Sequence, residues 1–249
     1  MAAPVSVGEL QQAWLAVQRG EFRPLPPPQP WRSGESERLI LVMGCAGQVG
    51  ASTVALGLAE SLAAARLVDC APTVASGLLG VCDRELGRHE TGWWQGSRAS
   101  LLLQRCPLHT TAAPDACPTP PTSDFGLTVI DAGFPAATIA ASPGWLADLL
   151  HDPTIPVVLV TRCTIPGMRQ LAAALALVQD HGRLIRVVVI GPPRKHWPRG
   201  VQLPRGTDPS HIAPLPHVPA IAVAGLGASP LPKSITAALH PLFEEGTLT

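Results

Sequence analysis

The sequence predicts an α/β protein with a mostly parallel central sheet flanked by helices on both faces. Three observations lead there. Short continuous runs of Val, Leu and Ile recur along the chain, as expected of strands buried on both faces. Ala/Leu-rich stretches without strong breakers lie between several of them and read as crossover helices. A glycine-rich turn joins the first such run to the first such helix. In folds of this kind ligands sit at the carboxyl ends of the strands.

The elements follow in order. Residues Val7 to Arg19 read as a short helix with Leu10, Trp14 and Val17 on one face, and Ser6 with Glu9 forms a capping box. The prolines from Pro24 to Pro30 fix φ and remove donors, so an extended linker follows. The expected organisation is a helix over 1–23, a Pro-rich linker over 24–36 and a main domain over 37–249. The small helix either packs on the domain or docks a partner through its Trp14 stripe. Its polar face is not rich in Lys or Arg, which counts against a membrane surface.

Leu39–Met43 is the first strand, Gly44–Gly50 the turn, and Ser52–Ala65 a helix interrupted only by Gly57. Leu67–Asp69, Leu127–Ile130, Pro156–Val160 and Arg186–Ile190 are further strands, and Ala220–Val223 offers a sixth. Ala112–Ser123, rich in Pro and Thr, is a loop. Gly167–Asp180 and Pro232–Phe243 are helices. Trp93 and Trp94 either pack over a sheet edge or meet a second copy.

Composition narrows the function classes. The 249 residues suffice for one substantial core. The formal net charge is zero, so no whole-molecule attraction to nucleic acid is expected. Apolar residues make up 46% of the chain, yet no run approaches the roughly 18 residues that span a bilayer. The start, Met1-Ala2-Ala3-Pro4, has neither the basic nor the apolar part of a signal peptide, which predicts a cytoplasmic location. The six cysteines form no C-x-x-C pair. Cys106 and His109 make a single C-x-x-H without the second pair a zinc site needs, so free thiols are expected. No G-x-S-x-G elbow supports a serine hydrolase.

The turn carries the functional argument. It reads Gly44-Cys45-Ala46-Gly47-Gln48-Val49-Gly50-Ala51-Ser52-Thr53. Backbone N–H groups at such a strand-to-helix turn wrap an anionic phosphate, the helix N-terminus adds partial positive charge, and a hydroxyl at the helix start ligates Mg²⁺. The arrangement resembles the deviant Walker A loop of the ParA/MinD family of P-loop ATPases, K-G-G-x-G-K-[ST]-[ST]. Gly47 and Gly50 match glycines of that pattern, and Ser52 and Thr53 match its hydroxyl pair. Ala46 and Ala51 stand where the family has lysines, and Gln48 replaces the second glycine. Asp69-Cys70-Ala71 resembles the family's D-x-D with the second Asp lost, and Thr128–Gly133 resembles its Walker B strand with Asp131 as the acidic residue. The stretch from Val157 to Arg162 looks like the next family strand, followed by its partner-sensing helix.

That resemblance spans about residues 38–245. It implies ATP or ADP with Mg²⁺, held by Gly47, Gln48, Val49, Gly50, Ala51, Ser52 and Thr53. Pro192 and Arg194 would lie near the base, where the family's Asn is absent. Ser52 would ligate the metal, with Asp69 and Asp131 acting through water. A missing transition-state charge costs about 10³-fold or more in rate, so the lost lysines and water-positioning Asp predict little hydrolysis. The chain is similar to degenerate MinD-like proteins of actinobacteria and to positioning proteins for pilus machinery and septum sites. A regulatory or positioning factor is therefore expected. Two alternatives stand: an active ATPase with a lysine supplied from elsewhere, for which Arg194 or Lys195 are candidates, and a DNA-binding partition protein. A protein partner is expected at the Trp14 helix or the Arg194–Arg199 loop. A homodimer is a family expectation, less dependent on ATP because Ala46 cannot reach across.

Overall fold

A computed structural model describes residues 6–8, 11, 14, 31–109, 113–122, 125–178 and 183–243. Among the described residues nine strands form one sheet in the order β3-β4-β5-β2-β6-β1-β7-β8-β9. They are β1 (Arg38–Gly44), β2 (Arg66–Asp69), β3 (Arg84–Arg88), β4 (Trp94–Arg98), β5 (Leu101–Arg105), β6 (Leu127–Pro135), β7 (Val157–Arg162), β8 (Ile185–Ile190) and β9 (Ile212–Leu215). All neighbouring pairs from β5 to β9 are parallel; only the pairings of β4 with β3 and β5 are antiparallel.

The expected doubly covered sheet is present. In β1, Leu39, Leu41 and Met43 face one apolar cluster, while Ile40 and Val42 face the other. The first cluster is closed by α2 (Ala136–Ala140), α3 (Trp145–His151) and α4 (Ile165–Val178). The second is closed by α1 (Ala51–Ser61) and α6 (Lys233–Leu239). A Cβ at Gly57 would lie 2.6 Å from Leu239 Cδ1, so the bare glycine is what lets α6 approach α1. Removing water from both faces of β1, β6 and β7 is the main driving force for this architecture.

Two differences from the sequence reading have local causes. Ala220–Val223 is not a strand: Pro219–Ala224 forms a short helix, α5, with Pro219 pre-set for the first helical turn. The edge strand is instead β9, which carries Pro214 where an interior strand would need its N–H. The β3–β5 meander was not anticipated, because all five residues of β3 are exposed and polar residues dominate it. Trp93 is wholly buried and donates its Nε1–H to the Thr119 carbonyl at 3.0 Å, while Trp94 stays partly exposed under the Arg88 guanidinium.

At the base of the sheet Arg66 is fully buried. Its Nη2 meets Glu37 Oε1 at 2.6 Å, its Nε donates to Thr128 Oγ1 at 3.0 Å, and Nη1 donates to the Pro121 carbonyl at 2.7 Å and Gln104 Oε1 at 3.2 Å. The Thr128 hydroxyl also donates to Glu37. The rings of Trp31 and Phe125 flank the guanidinium, and Trp31 stacks edge-on against Trp145 at 5.4 Å. The chain is thus tied to the domain from residue 31 onward.

Most of the N-terminal segment 1–23 and residues 24–30 of the Pro-rich linker lie outside the described residues. Val7, Gly8, Gln11 and Trp14 are helical, and Trp14 is 60% exposed. Among the described residues no helix is long and apolar enough to cross a membrane.

Candidate functional site

Strand order reverses at β1: β6 lies on one side and β7 on the other. A cleft of about 520 Å³ opens there, at the carboxyl ends of the strands. Gly47, Gln48, Val49, Gly50, Ala51, Ser52 and Thr53, the residues that the motif resemblance assigned to a nucleotide, all line it. So do Asp131, Gly133 and Arg162, with His217, Val218 and Ile221 on the wall beside α5.

The loop is shaped by backbone constraints. Gly50 has φ 96°, a left-handed conformation that L side chains rarely adopt, and a Cβ there would lie 2.5 Å from Ile190 Cδ1. Gln48 also takes a positive φ, 56°, without the excuse of being glycine. Two contacts from β7 hold the loop in place: the Cys45 N–H donates to the Val160 carbonyl at 2.8 Å, and Arg162 Nη2 donates to the Gln48 carbonyl at 2.7 Å. Helix α1 starts with neither a side-chain cap nor an acidic residue in its first turn. The first turn, whose residues Ala51, Ser52 and Thr53 line the cleft, is therefore left without side-chain compensation of its N–H groups.

Ser52 and Asp131 meet at the floor. Asp131 is buried; its Oδ1 accepts the Gly133 N–H at 3.3 Å. Its Oδ2 is buried without a hydrogen bond of ordinary geometry, although the Ser52 hydroxyl stands near enough to favour the charged form. Burial nevertheless dominates and raises the Asp131 carboxyl above its usual range. Asp69 faces Asp131 across the β2–β6 register. Burial and then the Asp131 charge raise Asp69, against the Ser76 hydroxyl on Oδ2 and the Ala71 N–H on Oδ1 at 3.0 Å. Two desolvated carboxylates side by side and one orphaned oxygen fit a divalent cation, which would supply the missing positive charge. Among the described residues no three His, Cys, Asp or Glu side chains cluster as a metal cage, so most of the cation's ligands would come from water and a phosphate.

Not every expected residue reaches the cleft. Asp69, beside Asp131 in the strand register, lies off this lining and instead lines a separate, smaller cavity with Ser76, Arg105 and His109. Ala71 lines the cleft, its backbone N 2.4 Å from where a Cβ of Gly133 would be. Pro192 and Arg194 also lie off the lining; Arg194–His196 forms an exposed 3₁₀ turn, and Trp197 beside it donates to the Pro192 carbonyl at 3.1 Å. Arg162 is the residue that sequence reasoning missed as a site group. It appeared only as the end of an apolar strand, and its contact with Gln48 spans 114 positions.

Among solved structures, the chain is similar to the septum site-determining protein MinD of Pyrococcus horikoshii OT3, complexed with Mg-ADP. Identity is 16% and the TM-score 0.52, over 83% of this chain and 94% of that one. It is similar to the cell division ATPase MinD of Pyrococcus furiosus, with 17% identity and a TM-score of 0.50 over 82% and 96%. A plasmid partition protein of Borrelia burgdorferi B31, described as putative and bound to AMPPNP, gives 13% and 0.53 over 83% and 97%. No protein-family model matches the sequence, and no curated protein does. At these identities the likeness shows the fold: a ParA/MinD-type P-loop NTPase architecture.

Proposed function

We propose that this chain is a degenerate ParA/MinD-like protein that binds ATP or ADP with Mg²⁺ and hydrolyses it slowly or not at all. Its occupied and empty states would serve a regulatory or positioning role in the cytoplasm, of the partition, septum-placement or plasmid-transfer class. The observation that carries this reading is the orphaned Oδ2 of Asp131 beside Ser52, under an uncapped helix N-terminus in an open cleft. Burying a carboxylate oxygen without a partner is costly, and a hydrated Mg²⁺ on a phosphate removes that cost.

Loss of catalysis is supported by the same geometry. Ala46 and Ala51 line the cleft where the resembling family places lysines, and Ala71 lies where a second Asp would position water. Phosphoryl transfer rests on such charges, whereas binding needs chiefly the loop amides and the metal. Two of the solved neighbours carry Mg-ADP or AMPPNP, which agrees with a nucleotide-shaped cleft in this fold.

The test is calorimetric titration of the chain with ATP and with ADP in Mg²⁺, alongside the double variant Ser52→Ala/Asp131→Ala. Binding in the micromolar to millimolar range that disappears in the variant is expected. Steady phosphate release abolished by Asp131→Ala would instead support an active ATPase. Absence of binding at millimolar nucleotide would overturn the proposal.

A further inference from the structure

We infer that Arg162 is the phosphate-binding cation of the cleft, taking over in this chain the charge that Ala46 and Ala51 cannot supply; the inference rests on the nucleotide reading above. Among the described residues lining the cleft, Arg162 is the one Lys or Arg. A polyphosphate needs more than backbone dipoles to offset its charge, and a single guanidinium contact adds the strongest neutralisation available without a metal.

Its root is fixed. Thr161 donates its hydroxyl to the Gly167 carbonyl at 2.8 Å, and the Gly167 N–H donates to Thr164 Oγ1 at 3.0 Å. A Cβ at Gly167 would lie 2.3 Å from the Arg162 carbonyl oxygen, so the turn into α4 closes tightly over this residue. On the other side the Cys163 N–H donates to the Ile190 carbonyl at 3.0 Å. From that root the side chain stays exposed and crosses to the loop, where one N–H holds the Gln48 carbonyl. A guanidinium has five N–H donors, so this bond leaves four for a ligand. The same bond holds Gln48 in its left-handed conformation, which persists only where its surroundings over-determine it.

The other basic side chains near this end of the sheet are committed or distant. Arg105 pairs with Glu85 and donates to the Leu79 carbonyl at 3.0 Å. Arg194 and Lys195 lie off the lining.

The experiment titrates ATP and ADP with Mg²⁺ into the wild-type chain, Arg162→Lys and Arg162→Gln, at two salt concentrations, with unfolding temperatures recorded for all three. Arg162→Gln is expected to lose about 10- to 100-fold in affinity for both nucleotides. Arg162→Lys, which keeps the charge, should stay within about 5-fold of wild type. The salt dependence should flatten in the Gln variant alone. Equal affinity of wild type and Arg162→Gln overturns the assignment by itself. An equal fall in the Lys and Gln variants also overturns it, because the loss would then follow the Gln48 latch rather than the charge. Failure of the wild-type chain to bind either nucleotide overturns the nucleotide reading and this assignment with it.

Discussion

Replacing Arg66 by Met should be among the most damaging single changes in the domain. Met fills much of the space between Trp31 and Phe125 but leaves the buried Glu37 carboxylate without its cation, and leaves the Pro121 carbonyl and Gln104 without a donor. Breaking a buried ion pair from one side costs about 3–5 kcal/mol. For a domain of this size each kcal/mol lowers Tm by about 2–4 °C, so a fall of about 6–20 °C is expected. Glu37→Gln alone should cost a similar amount, since the guanidinium then lies desolvated beside a neutral amide. The double variant Arg66→Met/Glu37→Gln should cost far less than the sum, because neither charge is left behind. Urea unfolding of the four proteins gives the cycle directly. Additive single effects, or a loss below about 1 kcal/mol for Arg66→Met, would refute the reasoning.

Other outcomes follow from the cleft. Gly50→Ala should destabilise by about 1–3 kcal/mol, from the positive φ and from Ile190 Cδ1, which must move aside. Gly47→Ala, whose Cβ meets nothing within 4 Å, should stay within about 0.5 kcal/mol. Similar urea midpoints for the two would sink the backbone argument. The Asp69–Asp131 pair predicts a pH effect. Both carboxyls are raised in the folded state, so the fold holds more protons than the unfolded chain above about pH 4. Stability present below that pH should therefore fall as pH rises through the folded values, by up to about 1.4 kcal/mol per pH unit for each extra proton held. Urea midpoints between pH 5 and 8 in chelator should show this slope. Asp69→Asn should flatten it, and so should Mg²⁺; an unchanged slope in Asp69→Asn would remove the carboxylate account.

What the sequence made legible was governed by the range of the forces involved. Strands β1, β2, β6, β7 and β8 announced themselves because burial on both faces demands continuous apolar runs. Strand β3 did not, since Arg84–Arg88 gains its place from pairing with β4 and buries nothing. Ala220–Val223 misled for the converse reason: four apolar residues suit strand or helix alike, and Pro219 together with Gly225 closing the end settled the outcome. Around the cleft, Ser52 and Asp131 were singled out through the motif resemblance and both line it, whereas Asp69, expected with them, lies off the lining. Arg162 was not singled out, because nothing local distinguishes an arginine that reaches a distant loop from one that ends a strand in solvent. Buried Arg66 was equally silent, its partners being Glu37, Gln104, Pro121 and Thr128 from four separate segments.

The order of the strands also sets a timetable for synthesis. Strand β1 emerges before every other strand, yet its neighbours are β6 and β7, which begin at Leu127 and Val157. The Arg162 bond to Gln48 and the Ile190 side chain against Gly50 come later still. At roughly 5–20 residues per second, a ribosome needs on the order of 10–40 s to make the first 190 residues. Until β6 and β7 emerge the apolar Leu39–Met43 run waits without a strand partner, and the loop lacks its last packing contact until Ile190 is made. A nascent chain stalled before Ile190 should thus engage hydrophobic-binding chaperones, and the proposed nucleotide binding should arrive late and abruptly.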